Sequence, residues 1–214
     1  MSYDVGNTPA SIVAADLDGD GRPDLVVANF GNGTVSVLRN HGDGTFASKV
    51  DYSIGLPFSY PKAVFAADFT GDGKPDVSVA NSGTHTVRIL KNNGDGTLSA
   101  NVEYGTGDYP TSVIGTDLNG DGKPDLAVAS TFNTVSVLLN NGDGTFRAKV
   151  DYGTGIYPTS VIGADLDGDG KADLAVANSD DNTVSVLKNN GDGTFAAKVD
   201  YGTGSNPLSV FAAD

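Results

Sequence analysis

The chain has no cysteine, so no disulfide closes the fold and no thiolate supplies chemistry. No apolar run is long enough to span a bilayer. No basic-then-apolar signal opens the sequence, which therefore reads as a mature segment or an excised piece. Histidine is nearly missing: His41 and His85 sit in turns of different kinds and read as exposed drift. There is no nucleophile elbow, no zinc-protease helix motif and no phosphate-cradling loop, which points away from an enzyme. Basic residues are scarce. Against 27 Asp and Glu stand 13 Lys and Arg, a formal charge of -14. A surface of that sign repels phosphate and excludes nucleic acid as a partner.

What the chain does have is aspartate and glycine at fixed places. A nine-residue acidic stretch begins at Asp16 and returns at Asp68, Asp117 and Asp165, and Asp214 falls where a fifth would begin. The steps are 52, 49, 48 and 49 residues. A fixed period of this length marks a repeat array whose neighbouring units share a core. The four stretches hold 14 aspartates, about half of all acidic residues, and four divalent cations would bring the charge to -6. The acidity is therefore local and metal-directed, and is not a diffuse solubilising coat.

The fourth unit shows the plan. Residues 159–164 form a short apolar run rich in β-branched side chains, and the acidic stretch follows. Large and small residues then alternate over 174–177, and Val184 and Val186 share one face of the next run. A turn of Asn, Gly and Asp leads to Phe195, Ala197, Val199 and Tyr201 at a spacing of two, the period of a half-buried strand. No segment carries a helical apolar stripe. Four antiparallel strands in about 50 residues make a propeller blade; a sandwich gives no reason for the internal similarity, and solenoid coils are shorter. The expected fold is an all-β propeller of four-stranded antiparallel blades, one repeat-array domain over 1–214. Blades fall at 9–52, 61–104, 110–152 and 158–201, with an extra first strand at 207–214. Such a partial ring is either cut from a longer propeller or completed by another copy through its open blade edges.

The acidic stretch follows the pattern D-x-[DNT]-G-D-G-x-x-D. Glycines at its fourth and sixth positions permit a tight loop that turns the side chains of positions 1, 3 and 5 inward. Position 7 offers a backbone carbonyl, and position 9 a further carboxylate. The candidate ligands are Asp16, Asp18, Asp20, Arg22 and Asp24 in the first loop, and Asp68, Thr70, Asp72, Lys74 and Asp76 in the second. The third offers Asp117, Asn119, Asp121, Lys123 and Asp125, and the fourth Asp165, Asp167, Asp169, Lys171 and Asp173. Many oxygen donors and no nitrogen or sulfur select calcium, about one ion per repeat and four in all. An EF-hand is excluded, because its loop closes at position 12 between helices. Thr70 is the poorest donor of the set, so the second site is expected to be the weakest.

The run of D-x-D-G-D-G-x-x-D, an L-A-V-A-N strand, N-T-V-S-V-L and N-N-G-D-G-T-F resembles the FG-GAP or VCBS-type repeat of integrin-α-like β-propellers, over nearly the whole chain. The resemblance implies four-stranded blades with calcium in the loop between the first two strands. It carries that role onto the loop aspartates, Asn119 and Thr70. It also implies a secreted or cell-surface module for adhesion, recognition or scaffolding, whose partner is an extracellular protein or glycan. Two alternatives stay open: a carbohydrate-binding propeller, and a non-catalytic module of a larger secreted polysaccharide-acting enzyme. The second recurring turn, opening at Asn40, Asn92, Asn140 and Asn189, reads as a plain hairpin turn. Tyr60, Tyr109 and Tyr157, each before a proline, read as packing between blades, with sugar stacking as the alternative.

Overall fold

The computed structural model describes residues 2–55 and 59–213. They form four antiparallel sheets of four strands, each sheet taking its strands in chain order. The first blade is β1 (Pro9–Ala15), β2 (Asp24–Asn29), β3 (Thr34–Leu38) and β4 (Val50–Ser53). The second is β5 (Pro61–Ala67), β6 (Asp76–Asn81), β7 (Thr86–Asn92) and β8 (Leu98–Gly105). The third is β9 (Pro110–Thr116), β10 (Asp125–Ser130), β11 (Thr134–Leu138) and β12 (Val150–Gly153). The fourth is β13 (Pro158–Ala164), β14 (Asp173–Asn178), β15 (Thr183–Leu187) and β16 (Val199–Gly202). First strands lie beside first strands, β1 by β5, β5 by β9 and β9 by β13, so the blades follow one another around an arc.

The core lies between blades, and the alternation of large and small residues explains why. Every residue of β10 is buried. Successive side chains of a strand point to opposite faces. Leu126 and Val128 pack toward the second blade with Phe69, Ile89 and Val113. Ala127 and Ala129 face the fourth blade with Val161, Leu174 and Val176. A third cluster joins Leu17, Val26 and Val35 of the first blade to Val64, Val77 and Leu90 of the second. A middle strand sandwiched this way has no polar face, which is why its sequence does not show the apolar–polar alternation of a solvent-facing sheet.

Register places the acidic stretches. Ala15 pairs with Asp24, Ala67 with Asp76, Thr116 with Asp125 and Ala164 with Asp173, so each stretch is the loop joining the first two strands of a blade. Each first strand opens with a register shift just after its proline, which lacks the donor a regular ladder needs. Residues 207–213 lie along β13, as a next first strand would. Thr159 Oγ1 donates to Pro207 O at 3.0 Å, as Thr111 Oγ1 does to Pro158 O at 2.9 Å. This segment has no ladder partner among the described residues, and Asp214 lies outside them.

Candidate metal centres

Each acidic loop is folded by its own backbone amides. Asp16 Oδ1 accepts from the N–H of Gly19 at 2.8 Å and of Asp20 at 3.2 Å, while Oδ2 accepts from Gly21 at 2.8 Å. The same three bonds form at Asp117 and Asp165. At Asp68 the bonds come from Asp72 at 3.1 Å and Gly73 at 2.8 Å. Position 5 repeats the device: Asp20, Asp72, Asp121 and Asp169 each accept the amide of position 7. The glycines between them take the positive φ this curl requires, 77° at Gly19 and 83° at Gly21. Amide bonding from Gly170 and its neighbours holds the Asp165 carboxyl below its ordinary pKa.

Position 9 is the buried bracket of the site. Asp125 Oδ2 accepts from Leu118 N at 2.9 Å, and its Oδ1 from Asn140 N at 2.7 Å. Asp24, Asp76 and Asp173 make the equivalent pair of bonds. Burial pushes the carboxyls of Asp24, Asp76 and Asp125 above their ordinary pKa. These groups are charged at neutral pH only at a cost, and a nearby cation would relieve it.

In the first loop, carboxylate oxygens of Asp16, Asp18 and Asp24 lie within 4.8 Å of one another, and in the fourth so do those of Asp165, Asp167 and Asp169. The second and third loops bring together no such trio among the described residues, because Thr70 and Asn119 replace the carboxylate of position 3. The loops draw positive side chains. Lys188 pairs with Asp167, Lys91 lies 3.5 Å from Asp72, and Arg39 lies 3.9 Å from Asp18. At position 7 Arg22 and Lys171 pair with the position-5 carboxylates Asp20 and Asp169, and Lys123 Nζ lies 3.7 Å from Asp121. Lys123 Nζ also donates to Asn141 O at 3.0 Å and Lys74 Nζ to Asn93 O at 3.3 Å in the second turn; being cationic, these residues offer an ion only their backbone carbonyls.

The residues fit a hard divalent cation on two observations. Every donor is oxygen, as calcium requires. In the second loop Thr70 Oγ1 is buried and forms no well-aligned hydrogen bond, though it lies close enough to Asp76 to favour that carboxyl's charged form. An oxygen without a well-aligned partner at a ligand position is what an ion would use.

The second turn closes with its own side chains, as a plain hairpin turn does. Asp143 Oδ1 accepts from Thr145 N at 3.0 Å and from its hydroxyl at 2.6 Å. The threonine hydroxyl holds Asp143 below its ordinary pKa, as in Asp43, Asp95 and Asp192. With the folded-state value below the unfolded one, this stabilisation is present at neutral pH and is lost as pH falls through the lowered value. In Thr145→Val the Asp143 carboxyl is expected to titrate nearer its ordinary value, read by NMR; an unmoved titration would show that the hydroxyl is not the cause. The turn's Gly142 has φ 92°, and a Cβ there would sit 2.6 Å from Lys123 Cε. Gly142→Ala is expected to cost about 1–2 kcal/mol in a denaturation experiment.

Sequence reasoning missed a further role for this turn. Asn140 Nδ2 donates at 3.0 Å both to Pro124 O of its own blade and to Phe69 O in the acidic loop of the blade before. Asn189 does the same to Ala172 O and Leu118 O. The signal was the recurring first Asn, which a hairpin alone does not need. The histidines also have defined places. His41 Nδ1 lies 3.0 Å from Thr45 Oγ1, where other turns use Asn. His85 has φ 56° and its Nδ1 accepts from Tyr109 N at 3.0 Å, the place taken by Asn182 toward Asn206. Both stand in for asparagine, so neither is free drift. Tyr60 stacks on Phe30 at 5.0 Å, and Tyr109 packs edge-on against His85 of the second blade at 4.5 Å and beside Phe132 of the third at 5.9 Å, as packing between blades implies, while Tyr109 and Tyr157 remain 47% and 42% exposed.

The family model of the FG-GAP-like repeat matches residues 16–79, 68–128, 117–176 and 165–214. No curated protein matches the chain. Among solved structures, an Agrocybe aegerita lectin, described for its recognition of non-reducing terminal N-acetylglucosamine, is 28% identical with a TM-score of 0.60. The match covers 92% of this chain and 52% of the lectin. A protein of unknown function from Desulfotomaculum acetoxidans is 19% identical with a TM-score of 0.67, over 92% of this chain and 56% of that one. Virginiamycin B lyase from Staphylococcus aureus is 14% identical with a TM-score of 0.62, over 92% and 56%. The last two likenesses are of fold alone. The chain spans little more than half the length of each. Proteins of this repeat are typically non-catalytic scaffolds. On the four contiguous matches and the blades they fall on, the chain belongs to the FG-GAP-like repeat family.

Proposed function

We propose that the chain is a calcium-binding extracellular propeller module that serves adhesion, recognition or scaffolding, with one ion stabilising the first hairpin of each blade. The observation that carries this is the gathering of carboxylates within 4.8 Å in the first and fourth loops. At an effective dielectric of about 20, two charges so placed repel by about 3 kcal/mol, and a divalent cation reverses the sign. Asp16, Asp18, Asp20 and Asp24 and their counterparts would supply side-chain oxygens, and Arg22, Lys74, Lys123 and Lys171 their carbonyls. Modules with this ligand set bind calcium at about 0.1–1 mM, which matches extracellular and not cytosolic calcium. No helix among the described residues is long and apolar enough to cross a membrane.

The second site, with Thr70 in place of a carboxylate, is the weakest of the four. Calorimetry of Thr70→Asp is expected to show one site gaining several-fold in affinity; an unchanged isotherm would remove Thr70 from the ligand set. A carbohydrate-binding role has one support, the exposed Tyr109 and Tyr157 in a chain that resembles a lectin. A glycan array carrying terminal N-acetylglucosamine decides it, and an array without signal leaves the scaffold reading.

A further inference from the structure

The three interfaces inside the chain are built alike, and the two end blades each present one unused half of the same interface. On the side that faces the next blade, Leu17, Phe69 and Leu118 are 0%, 0% and 1% exposed, but Leu166 of the fourth blade is 43% exposed. Val184 and Val186 are half-buried there, although Val35, Val87 and Val135, and Val37, Ile89 and Val137, are buried in the other blades. A groove of about 510 Å³ results, lined by Leu166, Val186, Ala196 and Tyr201. On the side that faces the previous blade, Val64, Val113 and Val161 are 6%, 4% and 2% exposed, but Ile12 of the first blade is 61% exposed.

The polar contacts are unfinished in the same way. Leu17 O accepts from Gly96 N, Phe69 O from Gly144 N and Asn140 Nδ2, and Leu118 O from Asn189 Nδ2. Among the described residues Leu166 O has no such donor, while on the opposite face Gly44 N, the counterpart of Gly96 N and Gly144 N, has no acceptor, and the Asn40 amide, like that of Asn92, donates only within its own blade. One open face thus lacks the donors that the other open face holds spare.

We propose that a second copy of this chain fills these faces, the first blade of each copy docking on the fourth blade of the other in the register used between its own blades. Such an interface is heterologous and is used twice, so two copies close a ring. Eight blades result, within the range of four to eight that propellers take. The chain's ends already imitate the missing neighbours. Tyr3 OH accepts from Phe46 N at 3.1 Å, copying Tyr104 OH and Phe146 N at 3.2 Å. Val210 N donates to Ser160 Oγ at 3.4 Å, copying Val161 N and Ser112 Oγ at 3.3 Å. Because the tail 207–213 has no ladder while β1 has a complete one, the tail yields to the incoming β1, and Tyr3 yields its place on Phe46 to the incoming Tyr201, which then sits as Tyr152 does on Phe195.

Light scattering on the full chain in calcium buffer tests this over a range of concentrations. The mass is expected to rise from 21.8 kDa to twice that value. Ile12→Asp and Tyr201→Asp place a charge on opposite open faces. Both positions are exposed in the single chain, so circular dichroism and melting of each variant should match the wild type. Each variant alone is expected to stay single, and an equimolar mixture to pair through its one intact pair of faces. Truncation before Pro207 is expected to tighten the association. A wild type of single-chain mass up to its solubility limit overturns the proposal. So does either variant associating like the wild type, a mixture that stays single, or a truncation that weakens the pair.

Discussion

Withdrawing calcium with excess chelator is expected to lower the melting temperature by more than about 10 °C relative to 10 mM calcium. An ion that binds only the folded chain contributes RT ln(1 + [L]/Kd) per site. With dissociation constants of about 0.1–1 mM, 10 mM calcium supplies about 1.4–2.7 kcal/mol at each site. Four sites together supply about 6–11 kcal/mol, and a chain of this size moves about 2–4 °C per kcal/mol. The structure says where the loosening would begin. Carboxylates of Asp16, Asp18 and Asp24 face one another within 4.8 Å, and Asp24 also brackets its loop to the second turn through Leu17 N and Asn40 N. Protonation offers a partial substitute for the ion. Since burial raises the folded-state pKa of Asp24, Asp76 and Asp125, their contribution without calcium is full below the unfolded value and is lost as pH rises through the folded one. The deficit caused by chelation is therefore expected to shrink on acidification from neutral toward the ordinary carboxyl range. Calorimetric melts that coincide with and without chelator would end the reading of these loops as ion sites.

Much of this site was legible because its causes are local. A curl that needs positive φ at two glycines and inward carboxylates at positions 1, 3 and 5 writes itself into nine consecutive residues, and four copies in step remove the accidental explanation. The four-strand blade was equally open to inspection, because turn residues punctuate it and Phe195, Ala197, Val199 and Tyr201 keep a period of two. What the sequence concealed depends on groups brought together from different blades. Asn140 looks like a turn residue until Phe69 O, 71 positions away, comes within 3.0 Å of its amide. The role of His85 depends on its acceptance of a hydrogen bond from Tyr109 N across 24 positions, and no local pattern marks that. The Leu-Ala-Val-Ala runs suggested a strand but not that both its faces would be buried, which follows only once blades stand on either side. The position-9 aspartates were expected as ligands; their second task, as buried acceptors for two backbone amides, required the fold.

Asn140→Ala is expected to destabilise the chain by about 3–4 kcal/mol, and Asn40→Ala by only about 1–2 kcal/mol. Asn140 is 1% exposed and works at four points: Nδ2 donates to Pro124 O and Phe69 O, Oδ1 accepts from Gly142 N at 2.7 Å, and its own N–H donates to Asp125 Oδ1. Truncation keeps the last of these and removes the other three. Phe69 O retains Gly144 N as a donor, but Pro124 O and Gly142 N lose their side-chain partner where water has little access. A buried polar group left unpaired costs about 1–3 kcal/mol, which sets the larger figure. The side chain of Asn40 is half-buried and makes only two bonds, both within its blade, to Pro23 O and from Gly42 N, so water replaces much of what is lost. Asn189→Ala should follow Asn140→Ala, because it joins the third and fourth blades in the same way. Urea denaturation in dilute solution, where the chain is single, measures the difference. Equal losses at Asn40 and Asn140 would mean that the bond across the blades contributes nothing and that apolar packing alone holds the arc together. A larger loss at Asn140 and Asn189 locates the cohesion of the last two junctions in one side-chain amide each, which also couples the acidic loops of the second and third blades to the blade that follows.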